Sequence, residues 1–218
     1  MLTNEQIIQN KMTFLKLISE IDIPGADTQG LVGFLDTPDD KGMNFFNAPA
    51  STIYHNNYEG GLCEHSLNVY YTLVELYEKF KDRLPYQYDK NTLLICGLLH
   101  DISKNGFYEK YTRNEKHYHA GGSKHDNGGA FDWIAVDAYK TKDAHDRILF
   151  GTHEENSMYL LGRYIPLSEE EMVAILNHHA GVGQANQNYD LSAIANKYPL
   201  QPLLHMADYL STFILERF

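Results

Sequence analysis

The sequence predicts a mainly α-helical fold, on three observations. Apolar residues recur at helical spacing over 62–80, 93–102 and 203–215. Two capping boxes, Thr3 with Gln6 and Ser168 with Glu171, mark helix starts. The stretch 107–145, rich in glycine, histidine and aromatic residues, breaks the helical period, and a small β-hairpin or irregular insertion is expected there. A chain of 218 residues, 43% of them hydrophobic, suits a single domain with a sizeable core. Residues 1–46 form an N-terminal helix and an irregular lead-in, and 47–218 form the core of that domain.

The first capping box opens a helix to about Glu20, with Ile7, Ile8, Met12, Leu15, Leu17 and Ile18 as its stripe. Residues 21–61 are punctuated by proline and glycine, and irregular structure with one short helix is expected. Their end, 47–61, is polar and aromatic together and is read as one wall of a pocket. Leu62–Phe80 is helical on Leu62, Val69, Leu73, Leu76 and Phe80. Asn91 or Asp89 caps the next helix, whose apolar run is stopped by Asn105-Gly106. Asp146–Gly162 is helical in part, with Ile148, Leu149, Met158, Leu160 and Leu161 apolar. The second capping box opens a helix to about His179, buried through Met172, Val173, Ile175 and Leu176 and stopped by Gly181. Pro202 suits the first turn of the last helix, in which Leu203 through Leu215 make a largely buried surface.

Composition bounds the function. Eighteen Lys and Arg against 29 Asp and Glu give a formal charge of -11, which argues against a long nucleic acid as substrate. Cys63 and Cys96 lack the CxxC spacing of a thiolate zinc site and suit a reducing compartment. No apolar run approaches the ~20 residues that cross a bilayer. The start, Met1-Leu-Thr-Asn-Glu-Gln, lacks the basic and apolar regions of a signal peptide. A cytoplasmic location without membrane association is expected.

The chemistry concentrates where apolar helices end. The run Leu93–Ile102 contains an adjacent imidazole and carboxylate, His100-Asp101, and Lys104 follows one turn later. Burying such a pair is costly without a partner. A divalent metal is one partner; on this segment alone, a helix that simply ends in polar residues is the other reading. His65 lies on the face of Val69 and Leu73, where a histidine is ordinarily a hydrogen-bonded core residue. Asp208 stands amid an apolar helical surface and calls for a counter-charge. His153 lies in Gly151-Thr-His-Glu-Glu155, and His178-His179 end the helix that Ser168 opens.

Taken together, Glu64-His65-Ser66, Leu98-Leu99-His100-Asp101-Ile102-Ser103-Lys104, Gly151-Thr-His153-Glu154, His178-His179-Ala180-Gly181 and Ala207-Asp208 give the order H…HD…H…H…D. This resembles the HD-domain superfamily of metal-dependent phosphohydrolases over roughly Asn47 to Phe218. The stretch Tyr54–Ser66 also resembles the start of the HD domain in a bacterial 3′–5′ exoribonuclease type, without that enzyme's accessory nucleic-acid-binding module. The resemblance implies an HD-type helical bundle with a metal site in its core. Positions matching His65, His100, Asp101 and Asp208 hold one metal. Positions matching His153 and His178 occur in two-metal members, where the residue matching Asp101 bridges. Two divalent ions are therefore expected, iron, manganese or another first-row metal such as nickel, cobalt or zinc, with magnesium also compatible. His179 is a substitute ligand or a phosphate contact, and the choice between it and His178 stays open.

The implied activity is hydrolysis of a phosphoester or phosphodiester in a nucleotide or short nucleic-acid-derived substrate by a metal-activated water. Asp101 and Lys104 are the catalytic candidates, with the Lys104 ammonium placed to stabilise phosphoryl charge. His55, His119 and His125 are secondary candidates for substrate contact. The pocket is expected to borrow the loop before His65 and the 107–145 excursion. Competing readings are a single-strand 3′–5′ nuclease, a di-iron oxygenase on the same fold, and a non-catalytic module that kept the fold.

Overall fold

The computed structural model describes residues 1–147, 151–179 and 191–216. Its helices are α1 (Asn4–Ile18), α2 (Thr28–Asp36), α3 (Gly61–Phe80), α4 (Lys90–Leu99), α5 (His153–Leu161), α6 (Glu169–Leu176), α7 (Leu191–Lys197) and α8 (Leu200–Leu210). Short polar residues start most of them. Thr3, Thr152 and Ser168 form reciprocal capping boxes, and Asp27 and Asp89 accept from the backbone N–H three residues on. Asp89 rather than Asn91 caps α4; the Asn91 side chain bonds the Asp22 backbone.

Helix α3 is the central element, with α1, α4 and α8 against it, and α6 packs on α4, α5 and α8. Gly97 sets the α3–α4 approach. A Cβ there would lie 2.6 Å from the Tyr70 Cα, so the two backbones meet at a distance that admits no side chain. The core between these helices is built from Leu62, Leu73, Leu94, Leu98, Leu99, Ile175 and Leu204, with Phe14, Phe45 and Leu31 closing it from the N-terminal side.

The insertion is a three-stranded antiparallel sheet of order β1-β3-β2. β1 (Tyr108–Tyr118) pairs β3 (Gly129–Thr141) from Tyr108 opposite Thr141 to Tyr118 opposite Phe131, and β2 (Lys124–Asp126) pairs the start of β3. Its base is buried at Tyr108, Ala138 and Tyr139; beyond that most positions meet solvent, except Phe131, which is covered by Tyr118, Trp133 and Lys116.

Several packing expectations change. In α1 the buried positions are Phe14 and Ile18, while Ile8 and Met12 are exposed, because the helix lies on the core by its C-terminal half. In α6 they are Glu171, Ala174 and Ile175, and Met172 is exposed. Phe213, Ile214 and Leu215 are also exposed, because α8 continues as a π-helical turn, Ser211–Leu215, that carries them outward. Ile148, Leu149 and the helix stop at Gly181 fall outside the described residues. Among the described residues no helix is long and apolar enough to cross a membrane.

Candidate metal centre

Five elements deliver the side chains. His65 comes from the second turn of α3. His100 and Asp101 follow α4 directly, and a 3₁₀ turn, Ile102–Lys104, comes next. In a 3₁₀ turn, side chains three apart eclipse, which puts Lys104 Nζ 2.6 Å from Asp101 Oδ2. That turn is tied to α5: Ser103 Oγ donates to the His153 carbonyl at 2.7 Å, and Ser157 Oγ donates to Ser103 Oγ at 3.0 Å. His178 lies in the turn after α6. Gln201 on α8 donates to the Asn177 carbonyl and His205 donates to the His178 carbonyl at 2.6 Å. Asp208 projects from α8.

These side chains meet at Asp101. His65 Nε2 and His100 Nε2 lie 3.6 and 3.5 Å from its Oδ2. His153 Nε2 and His178 Nε2 each lie 3.6 Å from its Oδ1. Asp208 Oδ1 is 3.2 Å from His65 Nε2. The imidazoles thus divide into two groups, one about each carboxylate oxygen. Among the described residues, four sets have donor atoms close enough to share an ion: His65, His100 and Asp208; His153, Glu154, His178 and His179; His55, His65 and Glu216; and His100, Asp101 and His178, which joins the two groups.

The inward nitrogens are left without a hydrogen-bond partner. The Nδ1–H of His100 donates to the Gly97 carbonyl and that of His178 to the Ile175 carbonyl at 2.7 Å. His65 Nδ1 donates to the Glu216 carboxylate at 3.0 Å, and His153 Nδ1 lies 3.2 Å from Glu154. A carbonyl or carboxylate can only accept, so Nδ1 carries a hydrogen in His65, His100 and His178. The Nε2 atoms of His65, His100, His153 and His178 and both oxygens of Asp101 are buried and form no hydrogen bond.

The electrostatics follow. Burial disfavours ionised Asp101, but Lys104 and the surrounding imidazoles outweigh it and hold the carboxyl well below the usual range. Asp208 is held down in the same way by His179 and His65. Burial keeps His100 neutral and drives His153 down to about 3. At His65 burial opposes a proton, yet Glu216 and Asp208 prevail and hold the pKa up at about 10.

His179 differs from its neighbour. Its Nε2 donates to Asp208 Oδ2 at 2.9 Å and its Nδ1 to Glu154 at 3.2 Å. Both nitrogens are engaged, and the two carboxylates, working against burial, raise its pKa to about 9. His178 has a free lone pair and His179 has none.

A cavity of about 500 Å³ opens beside the centre. Its lining comes from the loop before α3, through Tyr54 and His55, from α8 and its π turn, through His205, Asp208, Tyr209, Thr212 and Phe213, and from His179 and Glu216. The loop before His65 contributes, as expected. The sheet does not, and α8 with its π turn takes that place. His119 is exposed and paired with Asp132 near the sheet tip, and His125 is exposed on β2. Tyr118, beside His119, is ten residues along β1 from Tyr108, roughly 33 Å of strand at about 3.3 Å per residue. Neither histidine joins the cluster or lines the cavity.

Glu216 escaped the sequence reading. Eight residues past Asp208, an ideal α-helix would carry it about 80° round from that face. The π turn holds one residue more per turn, so eight residues sweep what about seven would sweep in an α-helix, and Glu216 returns to the Asp208 side. There it grips His65 Nδ1 and accepts from Asn68 at 3.0 Å. Glu154 stood inside a quoted motif without a role, and His205 carried no sequence signal.

A helical bundle whose core gathers four imidazoles and two carboxylates in this order defines a class, and the HD domain family matches residues 62–212. The chain belongs to that family. It is similar to the dihydroneopterin 2′,3′-cyclic phosphate phosphodiesterase of Methanocaldococcus jannaschii, with 30% identity over 89 residues. Those residues are 41% of this chain and 33% of the relative, so the match spans about a third of the relative's length. No solved structure matches the chain significantly.

Proposed function

We propose that this chain is a metal-dependent phosphohydrolase that cleaves a phosphoester or phosphodiester bond of a nucleotide or short nucleic-acid-derived substrate, using a divalent pair and an activated water. The observation that carries the reading is the set of six buried ligand atoms without hydrogen bonds, divided about the two oxygens of Asp101. Lys104 pairs with Asp101 Oδ2 and Asp208 lies near His65 Nε2; each of the others left unpaired costs on the order of 1–3 kcal/mol, and cations would offset it. His65, His100 and Asp208 with one Asp101 oxygen would hold the first ion; His153 and His178 with the other oxygen would hold the second. His178 rather than His179 is the ligand in this reading, because His179 has no free lone pair. A donor set this rich in imidazole favours iron, manganese, zinc, cobalt or nickel over magnesium.

When bound, such ions lower the pKa of a coordinated water and draw charge from a phosphoryl oxygen. The chain's own residues do the rest. Asp101 fixes the spacing of the two ligand groups. Lys104, buried against it, supplies a fixed positive charge beside the phosphoryl oxygens. His179, doubly donating and charged, faces the cavity and neutralises an incoming phosphate. His55, with both ring nitrogens buried and unpaired, contacts the organic part of the substrate. The relative's phosphodiesterase name supports a phosphodiester, and the charge of -11 disfavours a polymer.

The test is metal analysis of purified protein followed by turnover of nucleotides, cyclic nucleotides, a chromogenic phosphodiester and short oligonucleotides, with and without oxygen. Two metals per chain and oxygen-independent hydrolysis, both abolished in Asp101→Ala, are expected. Turnover that survives this substitution, or that requires oxygen, overturns the reading.

A further inference from the structure

The cavity beside the centre has a wall that metal chemistry leaves unused. α8 and its π turn present His205, Tyr209 and Phe213 as a ladder of rings, with centroids 6.2 and 4.6 Å apart and planes inclined by 36° and 42°. Tyr209 and Phe213 are each 44% exposed, although apolar rings of this size gain by burial. Tyr54, 77% exposed, and His55 line the same cavity. The ladder adjoins Asp208, so a phosphoryl group held at the centre would direct its organic substituent into this space. The volume, about 500 Å³, is that of a small-molecule site.

Charge narrows the occupant. None of the described lining residues is lysine or arginine, whereas Asp208 and Glu216 both face the cavity. His179 sits at Asp208 and pairs with it, so a second phosphate placed farther along the ladder, toward Phe213, would meet no lysine or arginine among the described lining residues. The rings instead offer stacking surface, which accepts any planar π system. The His55 nitrogens add a donor and an acceptor for the edge of such a ring.

We infer that the cavity binds an uncharged planar heterocycle, the organic part of a substrate carrying a single phosphodiester, by stacking on Tyr209 and Phe213. The inference rests on the phosphohydrolase reading for the position of the phosphate. It makes the preferred substrate a cyclic or otherwise singly charged nucleoside phosphodiester, and excludes polyphosphates and longer oligonucleotides.

Binding of adenosine, guanosine, cytidine and uridine to the metal-loaded protein tests it, by calorimetry and saturation-transfer NMR. Ribose 5-phosphate, adenosine 2′,3′-cyclic phosphate and magnesium ATP complete the set. Tyr209→Leu and Phe213→Leu keep apolar bulk at exposed positions and remove the ring face. At least one nucleoside should bind the wild type, and each variant should weaken it about tenfold. The cyclic phosphate should bind more tightly than both ATP and ribose 5-phosphate. Nucleoside binding that is absent or indifferent to both variants overturns the inference, as does ATP binding as tightly as the cyclic phosphate. A protein that stacks nucleosides and hydrolyses nothing loses the enzymatic reading alone. One that hydrolyses phosphodiesters without this binding loses the cavity assignment alone.

Discussion

At His178 the Nδ1 hydrogen is taken by the Ile175 carbonyl and Nε2 keeps a lone pair facing Asp101; at His179 both nitrogens donate to carboxylates. The two variants should therefore separate. His178→Ala should lower the metal content by about one ion per chain, while His179→Ala keeps the ions and weakens phosphate-bearing ligands, both measured by elemental analysis and titration. Equal metal loss in the two variants contradicts the assignment. Acid–base behaviour belongs to the same scale. In metal-free protein the folded pKa values of His65 and His179, about 10 and about 9, lie above the ordinary histidine value of about 6.5. The stabilisation from their protons is complete below about pH 6.5 and is lost as the pH climbs through 9 and 10. Metal-free protein should lose at least several degrees of Tm across that range. Metal displaces the His65 proton, so metal-loaded protein should show a smaller fall and should release protons as it forms. A metal-free Tm that rises from pH 6.5 to 10 refutes this. The sequence exposed much at this scale, since His100, Asp101, His153 and His178 stood at the ends of helices, His65 on an apolar helix face and Asp208 amid another. It could not separate His178 from His179, because the difference lies in partners contributed by other elements.

Among the elements, the π turn after α8 has the most specific consequence. It returns Glu216 to the side of Asp208, and the two carboxylates hold opposite nitrogens of His65. Partners of this kind, on the far nitrogen of a metal-binding histidine, are worth about 10–100-fold in metal affinity. Glu216→Ala should show a loss of that size in competition with a chelator, and Glu216→Gln, which still accepts a hydrogen bond, a smaller one. Deleting the exposed Ile214 should be tolerated. It would restore an ordinary α-helix with the glutamate seven residues from Asp208, still on the same face. Chelator resistance that is unchanged in Glu216→Ala, or abolished by the deletion, refutes the role. Helix starts were legible here because Thr3, Asp89 and Ser168 act through local chemistry. The outward turn of Phe213, Ile214 and Leu215 was not, because apolar spacing does not distinguish a buried stripe from one wall of a cavity.

In the molecule as a whole, the helical core and the sheet divide the work. The sheet leaves the core at Tyr108, immediately past the Asp101 turn, and carries His119 and His125 away from the cavity. A hairpin was one of two readings of 107–145; the third strand was not foreseen, and the sheet's distance from the site was a matter of tertiary direction. The bundle holds the centre through helix spacing, and Gly97 is where that spacing is tightest, with the Tyr70 Cα only 2.6 Å from where a methyl would stand. One added carbon at that position wedges α3 from α4, and His65 rides on the first helix while Asp101 follows the second. Gly97→Ala should therefore strip metal from a protein whose helical circular dichroism is nearly intact. A hydrogen atom, in effect, would gauge the bite of the proposed chelate.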